Sequence, residues 1–230
     1  MTVEKRTVLD RRLLAAASLV RQGAFFADIG TDHAYLPLFL VETGRVTRAI
    51  ASDINEGPAD CARLHIAAAG LADKIEVRVT GGLSGLDALG LTDIALCGMG
   101  GELIRDILAA APFVRDANIR LILQPMSRVE VLRRYLAKEG FEILEERRAQ
   151  DGDKLYVCMA VTYSGVPRSL SLAEALLGKP NPADPLFRLD LLRRLAAAEK
   201  RREGKEKGKD GCVEAEIAEI TALSALLEEL

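Results

Sequence analysis

From residue 24 onward the apolar positions come in two alternating rhythms. Short blocks at 24–30, 48–53, 74–79, 93–97 and 120–124 have the length of buried strands. Between them, 34–43, 59–69, 102–110 and 129–138 repeat their apolar residues at helical spacing, and Gly44, Gly70 and Gly140 stand where helix C-caps favour glycine. That alternation predicts an α/β fold, a parallel sheet whose strands are joined by crossover helices. Two further strand blocks, 141–148 and 154–162, follow with no helix between them. Their link, Ala149-Gln150-Asp151-Gly152-Asp153, has the Asp-Gly chemistry of a tight hairpin, so one of the pair should run antiparallel to the rest. The expectation is a Rossmann-like sheet closed by an antiparallel hairpin.

The flanks read as helices. Residues 5–21 form an amphipathic pattern with Leu9, Leu13, Leu14, Ala17 and Val20 on one side, suited to packing on the sheet. A connector bearing proline and serine runs to about Pro185, and two helical stretches follow at 186–203 and 212–230, joined by Gly-Lys-Glu-Lys-Gly-Lys-Asp-Gly. In the second, Val213, Ile217, Ile220 and Leu227 mark a coiled-coil seam, which predicts an antiparallel helical hairpin. The organisation is thus a main domain over 1–163, a connector over 164–184 and a helical hairpin over 185–230. Residues 188–209 hold nine Lys or Arg against four acids, while 210–230 hold six acids and no base. The two arms can pair with each other, or the basic arm can face a phosphate backbone.

Composition narrows the class. A chain of 230 residues that is 49% hydrophobic can bury one full core and carry an appendage. Cys61, Cys97, Cys158 and Cys212 are scattered without a CxxC pair, and the first residues lack the charged-then-apolar form of a leader, so a cytoplasmic protein with reduced thiols is expected. No uncharged apolar run approaches a membrane span, so no membrane partner is expected. The net charge of −3 gives no overall attraction to a polyanion, so any nucleic-acid contact needs a local basic patch.

The chemistry concentrates at predicted strand ends. Ala27-Asp28-Ile29-Gly30-Thr31-Asp32-His33 lies between the first strand and first helix. Gly30 there lets a cofactor approach the backbone, and Asp28 can accept from the α-ammonium of a cofactor's amino-acid part. A tight turn with Asp32 as N-cap is the plain alternative. The GxGxxG pattern of pyrophosphate binding is absent. Asp53 closes the second strand, where a carboxylate can accept both ribose hydroxyls of an adenosine, with Ile54 and Asn55 flanking its adenine. Gly81-Gly82-Leu83 brings a third loop near that ring, or makes a simple turn. Cys97-Gly98-Met99-Gly100-Gly101 ends the fourth strand with three glycines in four residues, the mark of backbone brought against a ligand. It is not the Asn-Pro-Pro-Tyr sequence used on exocyclic amines. Gln124-Pro125-Met126 shares that rim and reads foremost as a strand terminator, Cys97 as a small strand-end residue and His65 as structural. No Cys/His cluster has metal-ligand spacing, so no metal requirement is expected.

These residues resemble the bacterial tRNA adenine-22 N1-methyltransferases, the TrmK family of class I S-adenosylmethionine-dependent methyltransferases. The match rests on Ala-Asp-Ile-Gly-Thr-Asp-His-Ala-Tyr-Leu-Pro (27–37), Asn-Glu-Gly-Pro (55–58), Gly-Met-Gly-Gly (98–101), Leu-Ile-Leu-Gln-Pro (121–125) and Asp-Gly-Asp-Lys-Leu-Tyr (151–156). The resemblance implies methyl transfer from S-adenosylmethionine to N1 of a tRNA adenine, with the helical C-terminal part helping to hold the tRNA. It implies cofactor contacts at Asp28, Gly30, Asp53, Ile54, Asn55, Gly82, Cys97 and Gly98, and places Asp32, His33, Tyr35 and Met99 against the target base. Phosphate contacts are expected from Arg11, Arg12, Arg128, Arg133, Arg134, Arg193, Arg194, Arg201 and Arg202. A monomer is favoured. Two other readings stay open: a methyltransferase for a small molecule or protein whose hairpin dimerises the chain, and a non-catalytic adenosine-binding module.

Overall fold

A computed structural model describes residues 7–208 and 212–230. The chain divides into two compact units, Met1–Arg168 and Ser169–Leu230.

The first unit is a seven-stranded sheet: β1 (Ala24–Ile29), β2 (Val46–Asp53), β3 (Ile75–Val79), β4 (Asp93–Gly100), β5 (Arg120–Ser127), β6 (Phe141–Asp151) and β7 (Lys154–Tyr163), in the order β3-β2-β1-β4-β5-β7-β6. All pairings are parallel except those of β7, which lies antiparallel between β5 and β6. The expected Rossmann-like sheet with its antiparallel hairpin is therefore present. The hairpin turns at Gly152, φ +55°, where left-handed backbone favours glycine.

Alternation along the strands separates two cores. Phe26, Ala49, Ala51 and Ala95 pack with α1 (Arg11–Leu19), α2 (Tyr35–Glu42) and α3 (Glu56–Ala68) on one face. Ala27, Ile50, Ile94 and Leu96 pack with α4 (Gly101–Ala109) and α5 (Val129–Lys138) on the other. Where a strand is covered on both faces by helices, both of its side-chain rows are apolar, which is why these blocks read as continuous runs.

The first helix is shorter than its pattern. Asp10 accepts from Leu13 N at 2.6 Å and starts α1 there, and Leu14 faces solvent while Ala16, Ala17 and Leu19 are buried. Residues 5 and 6, where that helix was expected to begin, lie outside the described residues.

The second unit holds three helices where two were expected. The stretch read as connector contains α6 (Leu172–Leu177), opened by a capping box in which Ser171 and Glu174 each bond the other's backbone N–H. It packs with α7 (Pro185–Glu206) and α8 (Glu214–Glu228) around Leu177, Phe187, Leu191 and Leu223. The hairpin forms, and its seam follows the expected one in part: Leu227 packs against this core, but the inward face is rotated earlier in α8. Glu216, Leu223 and Leu226 face inward, and Ile217 is 48% exposed. Ion pairs account for that rotation: Lys205 Nζ meets Glu216 at 2.8 Å and Arg201 meets Glu219 at 2.6 Å, so α8 turns its acids toward the α7 cations. Residues 204–206 of the polar linker continue α7, and 209–211 lie outside the described residues.

Candidate cofactor and base site

At the carboxyl ends of β1, β2 and β4 lies a cavity of about 800 Å³. Open parallel sheets place ligands at this edge. Gly30, Asp53, Ile54, Asn55, Gly82 and Met99 all line it, so six of the predicted residues come together. Gly30 is left-handed, φ +76°, and its N–H, with that of Thr31, donates to Ser52 O, which ties the first loop to β2. Gly82 is left-handed at φ +57°, and a β-carbon there would stand 3.3 Å from Ile107 of α4. Leu83, Leu103, Ile107 and Phe113 supply apolar wall beyond the predicted set. Leu103 and Ile107 sit one turn apart on α4, a spacing that could have revealed them.

Asp53 is divided between two tasks. Its Oδ1 accepts from Asn55 N at 2.8 Å and from Asn55 Nδ2 at 3.3 Å, fixing the turn into α3, while Oδ2 has no partner among the described residues. The free oxygen belongs to a cavity-lining residue. This arrangement fits an adenosine, with a carboxylate acceptor for ribose hydroxyls, an apolar slot beside it and glycines where backbone must come close.

Asp28 does not line the cavity; it is buried in β1 beneath the loop. Burial pushes its carboxyl up to about 6, with the Thr31 hydroxyl and Arg12 guanidinium opposing the shift and the Asp53 carboxylate adding to it. Gly98 also lies off the cavity, left-handed at φ +81°. Its N–H donates to Gln124 Oε1 at 3.0 Å, and the same oxygen accepts from Arg12 Nη1 at 2.6 Å. Gln124 is fully buried and is more than a strand terminator, because it binds the β4 loop to α1. Burial raises the Cys97 thiol well above its usual range and the Cys158 thiol to about 12, which disfavours the nucleophilic thiolate at both.

The residues assigned to the base form a separate cluster on the β1–α2 loop. Ala34, not Asp32, is the N-cap of α2, and it does so in left-handed backbone, φ 56° and ψ 23°, with no side-chain cap. Asp32 is therefore not a helix cap. Its exposed carboxylate stands 3.3 Å from His33 Nε2. Tyr35 is 44% exposed and 5.2 Å, centroid to centroid, from His33. Met99 borders the cavity instead, against Gly30. His65, read from sequence as structural, joins this group: its ring stacks 5.7 Å from Tyr35 and lies 5.3 Å from His33. The sequence separation of 32 between His33 and His65 hid that pairing.

The predicted phosphate contacts are revised. Arg133 is buried, bonded through Nε and Nη2 to Glu146, so it braces α5 against β6 and cannot meet a phosphate. Arg12 is held inward by Gln124 and Asp10 instead of standing free on an outer face. Arg11, Arg128 and Arg134 are exposed, Arg128 near Glu102 and Glu130 at 3.6 and 3.7 Å. On α7, Arg193 is exposed, Arg194 pairs with Asp190, Arg201 with Glu219 and Arg202 with Glu206. Among the described residues, no helix is long and apolar enough to cross a membrane.

Comparison with known proteins places the chain in a family. Residues 9–159 match a family model described as a methyltransferase domain. A Bacillus subtilis (strain 168) protein named tRNA (adenine(22)-N(1))-methyltransferase is 36% identical over 148 residues, an alignment covering 64% of this chain and 62% of that relative. Among solved structures, Streptococcus pneumoniae Sp1610, assigned as a tRNA (m1A22) methyltransferase and bound to S-adenosyl-L-methionine, is 33% identical with a TM-score of 0.82, covering 96% of this chain and 100% of that one. The B. subtilis tRNA methyltransferase TrmK is 29% identical with a TM-score of 0.78, covering 96% and 97%.

Proposed function

Because the chain belongs to the methyltransferase domain family, in its TrmK branch, we propose that it methylates N1 of adenine 22 in tRNA from S-adenosylmethionine. The observation carrying this reading is the juxtaposition of two features. A cavity lined by Gly30, Asp53 and Gly82 suits an adenosine, and beside it a loop offers an exposed carboxylate and exposed ring at Asp32 and Tyr35.

In this reading Asp53 takes the ribose hydroxyls, Ile54, Asn55 and Gly82 border the cofactor's adenine, and Asp28 with the Gly98 loop faces its methionine part. S-adenosylmethionine supplies the electrophilic methyl group. The attacking N1 is unprotonated and neutral at pH 7, so no base need remove a proton from it, and positioning outweighs acid–base chemistry. Asp32 accepts from the exocyclic amino group and its charge favours the cationic product. Tyr35 stacks on the base, which must be unpaired or flipped to expose N1. Phosphate contacts come from the exposed guanidinium groups of Arg11, Arg128, Arg134 and Arg193, and the protein works as a monomer in the cytoplasm.

The test is transfer from methyl-labelled cofactor to an unmodified tRNA transcript, followed by mapping of the labelled nucleotide. Label on N1 of adenine 22 is the expected outcome. Absence of transfer, or label elsewhere, overturns the substrate assignment.

A further inference from the structure

The two histidines of the chain, one on the β1–α2 loop and one on α3, meet in space. His65 Nδ1 lies 3.1 Å from the His33 carbonyl oxygen. A carbonyl can only accept, so Nδ1 carries the proton and donates. The bond falls on the residue before Ala34, whose left-handed backbone is unusual for a residue with a β-carbon and is adopted without a side-chain cap. A strained turn persists only where its surroundings over-determine it: Ala34 is buried in the core, Gly30 and Thr31 are tied to β2, and the side-chain bond to the turn's own carbonyl comes from α3.

The side chain of His33 depends on the same neighbour. Its Nε2 faces Asp32, while its Nδ1 is shielded from solvent and has no hydrogen-bond partner among the described residues. On that side the ring is positioned by packing alone, between Tyr35 and His65. Tyr35 in turn stacks on His65 with only 19° between ring planes. His33 and Tyr35 thus both pack on one α3 side chain, and Asp32 pairs with His33.

Resting on the function proposed above, we propose that His65 is a positioning residue for methyl transfer: its Nδ1–H fixes the strained Ala34 turn, and its ring backs Tyr35, so that Asp32 and Tyr35 are presented to the adenine. It does not touch the cofactor site, being absent from the cavity lining.

Three substitutions in the full chain separate the two contributions. His65→Asn keeps a donor at the place of Nδ1 without the ring, His65→Phe keeps a ring without the donor, and His65→Ala keeps neither. With saturating S-adenosylmethionine and tRNA transcript, single-turnover transfer should slow roughly 10- to 100-fold in Ala, since small misplacements of reacting groups have effects of that size. Asn should recover most of that loss and Phe little of it. Cofactor affinity by calorimetry should stay at the parental value in all three. Parental rates in Ala, or an Asn variant as slow as Ala, would overturn the proposal. So would a fall in cofactor affinity and melting temperature that tracks the rate. Amide exchange at residues 31–35 gives a readout that needs no substrate: it should quicken in Ala and Phe and return toward parental in Asn. If the parental protein does not methylate the transcript, the substrate reading fails, and the exchange pattern still decides the role of His65.

Discussion

Met99 lays its terminal methyl on the open face of Gly30, in the space a β-carbon at that position would fill. Gly30 is also left-handed, so its backbone opposes a side chain whether or not Met99 moves. An unbranched thioether turns about several bonds and can give up that space to a ligand, whereas a β-carbon cannot.

Gly30→Ala should therefore lower the melting temperature and weaken S-adenosylmethionine sharply, the backbone alone adding roughly 1–2 kcal/mol of strain. Adding Met99→Ala should relieve the clash but not the strain, so stability should recover in part. Full recovery in the double variant, seen by thermal denaturation, would show that backbone conformation at Gly30 is unimportant.

Asp53→Ala should weaken cofactor binding by about 10- to 150-fold, the loss of a charged hydrogen bond worth roughly 1.5–3 kcal/mol. Asp53→Asn keeps an oxygen for the turn at Asn55 and should lose less. Unchanged affinity in a folded Ala variant, measured by calorimetry, would remove Asp53 from the site.

Asp28 gives the pH dependence. A carboxyl raised from 3.8 to about 6 binds its proton more tightly in the folded chain than in the unfolded one. Folding stability from this group falls as pH climbs through that window and is level above it, a loss of at most about 3 kcal/mol. Asp28→Asn should raise the melting temperature at pH 7.5 and change it little at pH 4. A cationic α-ammonium favours the ionised form, so cofactor affinity should decline as pH drops below about 6. Equal melting gains for Asn at both pH values would contradict the assignment.

Asp32→Asn keeps a carbonyl acceptor and deletes the charge, whereas Asp32→Ala deletes both. Transfer should slow by roughly 100-fold or more in Ala with cofactor affinity intact. Partial activity in Asn would point to the exocyclic-amine contact, and equal failure of both to charge stabilisation. An Ala variant at the parental single-turnover rate would leave base positioning to other residues.

Ending the chain after Arg168 should leave a folded unit that binds cofactor, since both sheet cores are complete before that point. Transfer to tRNA should collapse while cofactor affinity persists. A truncated protein as efficient as the full chain would show that α6, α7 and α8 serve another purpose.

What the sequence made legible follows from the range of the interactions involved. The strands β1, β2 and β4 and the glycines at 30 and 82 follow from local rules: burial on both faces makes apolar runs, and a left-handed turn selects glycine. α6 was missed because its apolar stretch is six residues long, although Ser171 and Glu174 carried the capping signal. The α8 seam was legible only in part: hydrophobic spacing finds Leu227 but places Ile217 inward, because it ignores Lys205 and Arg201, which draw Glu216 and Glu219 inward. Arg133 looked like a surface cation because nothing local reveals Glu146 on a strand 13 residues later. His65 and Gln124 act through partners 32 and 112 residues away, and no window along the chain spans such distances.

Strand β6 has a consequence beyond the site. It is an outer strand of eleven residues with no strand beyond it among the described residues, a length at which exposed N–H and C=O groups would recruit strands from other molecules. Its register shifts between Ile143 and Glu145, and Glu142, Glu145 and Arg147 stand exposed along it. An irregular, charged edge penalises any incoming strand through misaligned hydrogen bonds and buried like charges. Replacing Glu142, Glu145 and Arg147 together by threonine would leave the reaction site untouched and make the protein prone to aggregate through that edge as its concentration rises.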